Sequence, residues 1–343
     1  MQRSPKQVVA SFVLTSITTL LLFFLQHSLR RLTEGKPIMD FSLSGDKQVS
    51  HTAHEKKILE SVVNASSIEE KLADIGGLSA IKADIRAQIL LPLKHPKVFF
   101  GDVKSLHPPR GVLLHGPPGT GKTMLARAIA AEAGCPFIAL TLSSLEDKWF
   151  GESSKLLAAA FSVAAKLQPC VLFIDEIDGF MRRRTESEHE ATYGMKTEFL
   201  QHMDGIGSSK KDAFIVIACT NCVSALDPAI KRRLPQQFEI GYPDPAELME
   251  ILRVHLKDSG VDDDSLRMFA SSLQGHISGS DVSELVKAAW AQSRRRLMES
   301  ESFLEQLREG TINAAALEKA AGHMKLSTLL ATARQKKMLA AAP

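Results

Sequence analysis

Gly116-Pro117-Pro118-Gly119-Thr120-Gly121-Lys122-Thr123 has the G-x-x-x-x-G-K-[ST] spacing that wraps a polyphosphate. Its glycines let successive backbone N–H groups turn inward on phosphate oxygens, and a helix opening at Lys122 adds partial positive charge. In this pattern Lys122 reaches the β- and γ-phosphates and Thr123 ligates Mg2+, while Pro117, Pro118, Gly119, Thr120, Gly121 and Met124 complete the nucleotide cradle. Further along, the apolar run Val171–Ile174 ends in two carboxylates, Asp175 and Glu176. Asp175 is placed to bind Mg2+ through water and Glu176 to polarise an attacking water. Phosphoryl transfer needs mainly positioning and charge stabilisation, so one well-placed carboxylate suffices as base. A third run ends at Thr220-Asn221, where an amide suits hydrogen bonding to both the γ-phosphate and the water. Cys219 and Cys222 bracket it as a C-x-x-C pair, but with no second pair and no nearby His they lack a zinc ligand set.

These groups need a scaffold that brings the ends of several strands to one edge. The short apolar runs Val112–Leu114, Phe137–Leu140, Val171–Ile174, Phe214–Ala218 and Phe238–Ile240 are mostly continuous rather than alternating, as in strands covered on both faces. Helical stretches, notably Thr123–Ala133 and Ser153–Leu167, separate them. The alternation predicts an α/β fold: a parallel sheet with helices on both faces, its ligand crevice at the C-terminal strand ends. After Pro243 and Pro245 only helical patterns remain, over Ala246–Lys257, Asp263–Ser272, Gly279–Met298 and Ala314–His323. The expected organisation is a large α/β domain over 71–244, a small helical domain over 245–335 and a tail over 336–343.

Upstream, Val8–Leu25 carries no charged residue. As a helix it would span roughly 27 Å, close to a bilayer's hydrocarbon thickness. Arg3 and Lys6 precede it, in a short tail over 1–7, and His27, Arg30 and Arg31 follow. The run exceeds the usual apolar core of a cleaved signal, and QHSLRRL is not a small-residue cleavage site. One transmembrane helix over 8–25 is therefore expected. Residues 26–70 read as a juxtamembrane linker, with an amphipathic helix suggested by Ile58, Leu59, Val62 and Val63.

Composition is ordinary for a globular protein: of 343 residues, 44% are hydrophobic and 24% charged, which argues against a largely disordered chain. The formal net charge of +3 is too small to point to nucleic acid as the main partner. Four cysteines exclude a disulfide framework. Aromatics make up only 6%, with two tryptophans, so Trp149 beside Phe150 in a polar segment between a strand and a helix stands out.

Asp74-Ile75-Gly76-Gly77-Leu78, GPPGTGKT, FIDEID and Thr220-Asn221 together resemble an AAA ATPase module over roughly residues 70–335. Asp147-Lys148-Trp149-Phe150-Gly151-Glu152-Ser153, Leu167-Gln168-Pro169 and Arg232-Arg233-Leu234-Pro235 are similar to one subgroup. This is the N-terminally anchored AAA proteins of the mitochondrial outer membrane and peroxisome, which extract mislocalised tail-anchored proteins. The resemblance implies a homo-hexamer that binds ATP and Mg2+ between subunits. It further implies a single-pass anchor in the lipid bilayer, an ATPase domain facing the cytosol, and tail-anchored membrane proteins as substrates. It also implies residue roles. Arg232 and Arg233 resemble arginine fingers, catalytic with Glu176 and Asn221. Asp74, Ile75 and Gly76 resemble the segment over the adenine, and Gly279 and Ser280 open a helix facing the nucleotide. Trp149 and Phe150 resemble the pore loop that grips an extended polypeptide, and His189 a second pore loop.

Three positions depart from the subgroup's common pattern: Phe150 stands where Tyr is frequent, Cys222 where Arg follows the Asn, and Gln237 where Arg precedes the Phe. Rival readings are a microtubule-severing AAA enzyme, which would carry a microtubule-binding region upstream, and a nucleotide-gated membrane scaffold. The absence of H-E-x-x-H argues strongly against a third rival, an AAA metalloprotease of an inner membrane.

Overall fold

A computed structural model describes residues 52–100, 107–141, 152–179, 181, 190–205, 213–257, 259, 261–273, 275–298, 326–336 and 338. The expected transmembrane helix over 8–25, Trp149, Phe150, His189 and the helical pattern Ala314–His323 lie outside these residues. Among the described residues no helix is long and apolar enough to cross a membrane.

Among the described residues six strands form one sheet: β1 Val62–Val63, β2 Gly111–His115, β3 Phe137–Leu140, β4 Cys170–Ile174, β5 Phe214–Thr220 and β6 Gln236–Glu239. Their order is β1-β3-β4-β5-β2-β6. β3, β4, β5, β2 and β6 run parallel, whereas β1 pairs antiparallel with β3, Val62 opposite Ile138. The sheet is therefore mixed, a correction to the wholly parallel sheet expected from sequence. Val62 and Val63, expected to continue a helix with Ile58 and Leu59, instead follow a helix that ends at Glu60, and two valines are too short a run to signal a strand. Their place on the edge depends on a partner far along the chain.

Alternate residues of each strand enter opposite cores, which explains the continuous apolar runs. Leu113, Ile138, Leu172 and Val216 face one cluster with the helix Glu152–Lys166, while Val112, Leu114, Val171, Phe173 and Ile217 face another with the helix Lys122–Ala133. Beyond the sheet, helices α1 Pro245–His255, α2 Asp263–Ser272, α3 Gly279–Met298 and α4 Leu326–Gln335 share a separate core around Leu252, Phe269, Val282, Leu285 and Leu329. Asp244 caps α1, its carboxylate accepting from Glu247 N at 2.8 Å while Glu247 reaches back to the Asp244 N–H. Pro245 follows at the first helical position, where its missing N–H costs nothing.

The helix Ala53–Glu60 lies against Glu152–Lys166, with Ile58 in the shared core. Residues placed in the linker by sequence thus pack on the sheet domain. Glu55 fixes this contact. Its buried carboxylate accepts from Lys166 Nζ at 2.5 Å and Ser162 Oγ at 2.6 Å, and closes a capping box with the Thr52 N–H at 3.0 Å. Burial by itself would raise its pKa, but these charge-assisted bonds prevail and hold it at about 2. Glu55→Ala is expected to weaken docking by about 1–3 kcal/mol, read as faster amide exchange across 53–63 in the full chain. The folded-state pKa is depressed from 4.5, so the contribution is complete above about pH 4.5 and lost as pH falls through about 2. Wild type and variant should converge in acid.

Candidate active site

Strand order assembles the site. β5 lies between β2 and β4, and the registers align His115 with Thr220 and Ile174 with Ala218. The loop after His115, the carboxylates after Ile174 and the amide after Thr220 therefore leave three adjacent strand ends at one edge of the sheet.

The phosphate loop has the backbone its glycines anticipate. Gly119 and Gly121 have φ of 76° and 93°, in the left-handed region that side chains rarely adopt. Gly119 is also crowded: a Cβ there would lie 2.2 Å from Ser280 Oγ. Beside Gly121 a Cβ would meet nothing within 4 Å, so its requirement for glycine is the backbone conformation alone. Lys122 is buried and donates through Nζ to the Gly116 and Pro117 carbonyls at 2.9 and 2.6 Å. Burial lowers its pKa, opposed by the nearby Cys219, Asp175 and Asp178. Thr120 Oγ1 donates to Pro117 O at 3.0 Å. Pro117 is half-buried, Pro118 exposed, and Met124 packs partly buried beside the core of the phosphate-loop helix.

Thr123 Oγ1 donates to Asp175 Oδ2 at 3.0 Å, which brings the two expected Mg2+-binding side chains together. A hydroxyl and a carboxylate beside a glycine-rich phosphate loop are the hard oxygen donors that Mg2+ takes beside a polyphosphate. The residues present fit MgATP. Bound there, the cation would neutralise charge on the phosphates, with Thr123 and Asp175 as its protein-side partners.

Glu176 is exposed and has φ of 49°. A non-glycine residue in that region is strained by about 1–3 kcal/mol and persists only where its surroundings enforce it. Here the Glu176 N–H donates to Asp175 Oδ1 at 3.0 Å, and its carbonyl accepts from Gly179 N at 2.8 Å. No sequence pattern signals this conformation. Asn221 is exposed just beyond β5.

The small domain closes the site at two points. Ser280 N donates to Gly119 O at 3.0 Å, so α3 opens directly on the phosphate loop. Gly279 lies beside the same carbonyl. At the other point, Glu250 and Glu247 of α1 accept from Gly77 N at 2.8 Å and Leu78 N at 2.9 Å, and Lys82 Nζ donates to the Ile75 carbonyl. Asp74 is exposed and caps its own short turn through Lys71 N, while Ile75 is buried and Gly76 half-buried. The expected adenine segment is thus pinned to the small domain by two glutamates that sequence reading did not single out. Only their i, i+3 spacing hinted that they share a helix face.

Arg232 and Arg233 lie elsewhere. They end the helix Pro228–Arg233, and the backbone of Arg233 packs against Gly111 at the start of β2. The phosphate loop follows the other end of β2, about 13 Å away by strand rise. Arg233 makes a bidentate pair with Asp204, Nε at 2.8 Å and Nη2 at 2.7 Å. Exposed Arg232 makes a long contact to Pro228 O at 3.4 Å. The two arginines line an open pocket of about 380 Å3 with Arg110, Met203 and Pro235. Cys219 is buried and Cys222 exposed. Among the described residues no cluster of His, Cys, Asp and Glu forms a metal site.

Residues 112–242 match the profile of the ATPase family associated with various cellular activities (AAA). The outer mitochondrial transmembrane helix translocase of Danio rerio is 43% identical over 246 residues, 71% of this chain and 64% of that protein. Its Homo sapiens counterpart is 42% identical over 245 residues, covering 71% and 68%. The mitochondrial sorting homolog of Caenorhabditis elegans is 40% identical over 263 residues, 76% of each chain. In three dimensions the chain resembles the FIGL-1 AAA domain, crystallised in complex with ADP. The TM-score is 0.66 at 31% identity, over 84% of this chain and 92% of that one. With its phosphate loop, paired carboxylates and Asn221 on adjacent strand ends, the chain belongs to the AAA ATPases, alongside the outer mitochondrial transmembrane helix translocases.

Proposed function

We propose that this protein is a membrane-anchored ATPase that uses ATP hydrolysis to extract mislocalised, tail-anchored proteins from the mitochondrial outer membrane. In this reading it works as a homo-hexamer with its ATPase domain toward the cytosol and Val8–Leu25 as the anchor. Lys122 and the phosphate-loop amides bind the polyphosphate. Glu176 orients and deprotonates the water, and Asn221 contacts the water and the γ-phosphate. Asp74, Ile75, Gly76, Gly279 and Ser280 flank the base and sugar side of the nucleotide.

The position of Arg232 and Arg233 carries the reading. They sit at the N-terminal edge of the sheet and the chain's own phosphate loop at the C-terminal edge, with the length of β2 between them. This placement supports fingers that stabilise phosphoryl transfer in a neighbouring subunit of a ring rather than in their own. The names of the curated relatives support a transmembrane helix as substrate, and the uncharged Val8–Leu25 supports an anchor.

Trp149 and Phe150 grip the substrate in the central pore, with His189 on a second loop. Trp149→Ala in the full chain, reconstituted in liposomes, is expected to keep most ATP hydrolysis. Extraction of a tail-anchored client should fall about thirtyfold or more, the consequence of losing an aromatic anchor. Wild-type extraction by this variant would overturn the pore-loop assignment. Loss of hydrolysis in step with extraction would assign Trp149 to the ATPase core instead.

A further inference from the structure

The two residues that handle the attacking water, Glu176 and Asn221, belong to different strand ends, and both side chains project from exposed positions. Something must hold them in fixed relation, because a misplacement of about 1 Å in a reacting constellation can cost up to 10²-fold in rate.

The side chain of Thr220, 1% exposed, bridges the two. Its hydroxyl donates to Asp178 Oδ1 at 2.6 Å and accepts from Cys222 N at 3.0 Å. A threonine hydroxyl has one proton and two lone pairs, so the bonds are compatible and their direction is fixed by the backbone donor. Thr220 and Cys222 are the immediate neighbours of Asn221, so the bond between them sets the turn that aims its amide. Asp178 lies in the turn Ile177–Gly179 that follows Glu176. The same turn returns a bond to the Glu176 carbonyl from Gly179 N at 2.8 Å, and Ile177 in it is fully buried. The left-handed φ of Glu176 persists only under such restraint.

We infer that Asp178 and Thr220 form a positioning pair that registers Asn221 against Glu176, tying the two water-handling residues into one unit without touching nucleotide. This rests on the assignment of Glu176 as the base. The charge of Asp178 also opposes the lowering of the Lys122 pKa by burial, so its charge and its hydrogen bond are separated by variants.

The test measures kcat and KM for ATP, and the affinity for a fluorescent ATP analogue, on full-length variants. Thr220→Val and Asp178→Ala are each expected to lower kcat about ten- to hundredfold, with KM and analogue affinity nearly unchanged. Thr220→Ser keeps the hydroxyl and Asp178→Asn keeps the acceptor oxygen, so both should retain most of kcat. The Thr220→Val/Asp178→Ala double variant should fall no further than the worse single variant, as for two ends of one bond. If buried Thr220→Val fails to fold, Asp178→Ala at its half-buried position reads the same bond from its other end.

Wild-type kcat in a folded Thr220→Val or Asp178→Ala protein would overturn the inference. So would additive losses in the double variant, or a loss of affinity as large as the loss of kcat. Glu176→Gln measured alongside separates the two assignments. If it turns over normally, the base is misassigned; if it is inactive while Thr220→Val is active, only the coupling fails.

Discussion

Glu176→Gln should lower ATP turnover by about 10²–10⁴-fold, the range attributed to a positioned general base, while ATP binding stays intact. The side chain is exposed, so the amide replaces the carboxylate without creating a buried unsatisfied group. The backbone restraints on residue 176, from Asp175 Oδ1 and Gly179 N, do not involve its side chain. The phosphate-binding elements, Lys122 on its carbonyls and Thr123 beside Asp175, are left as they are. The expected pattern is therefore a collapse of kcat with unchanged nucleotide affinity and unchanged melting temperature. Turnover at the wild-type rate would remove Glu176 from the chemistry, and lost binding would recast it as a structural residue.

Arg232→Ala should produce the second large loss, about 10³–10⁵-fold in kcat, as for other arginine fingers. Arg232 is exposed and only weakly tied, to Pro228 O at 3.4 Å, whereas Arg233 is held by both carboxylate oxygens of Asp204. The Asp204 bond in turn pulls the Asp204 carboxyl below its ordinary pKa. Of the two candidates, Arg232 is the more readily turned toward a neighbour. Because the finger acts across the proposed subunit boundary, mixing is diagnostic. Arg232→Ala chains keep an intact Glu176, and Glu176→Gln chains keep an intact Arg232. Co-assembled rings contain boundaries with both groups present, so the mixture should hydrolyse ATP faster than either protein by itself. No recovery on mixing, with mixed assembly verified, would mean that Arg232 serves its own subunit or none.

Much of this site was legible in the residues themselves. The glycine spacing before Lys122-Thr123 needs no partner to be read, because a backbone that must turn its N–H groups inward leaves its mark as glycine in the local sequence. The same holds for continuous apolar runs ending in Asp175-Glu176 and in Thr220-Asn221. A strand buried on both faces cannot alternate, and a polar pair at its end marks the edge where the ligand sits. Three helices of the small domain were readable from their helical pattern, and α2 and α3 have the predicted boundaries, whereas α4 over Leu326–Gln335 was not read from sequence.

Only the tertiary structure decided which strand ends meet. The insertion of β5 between β2 and β4, the antiparallel edge Val62–Val63 and the docking of Glu55 on Lys166 are pairings between distant segments. A pairing leaves no periodicity in either partner alone. The Thr220–Asp178 bond, the Arg233–Asp204 pair and the Glu247 and Glu250 contacts to Gly77 and Leu78 belong to the same class. Each is a polar group satisfied by one specific neighbour in space, and its residue type is equally common in ordinary turns and on solvated helix faces. Local chemistry thus named the groups proposed to bind and cleave a nucleotide. The fold determined how they are held in register, and that Arg232 and Arg233 lie at the opposite end of β2 from the chain's own phosphate loop.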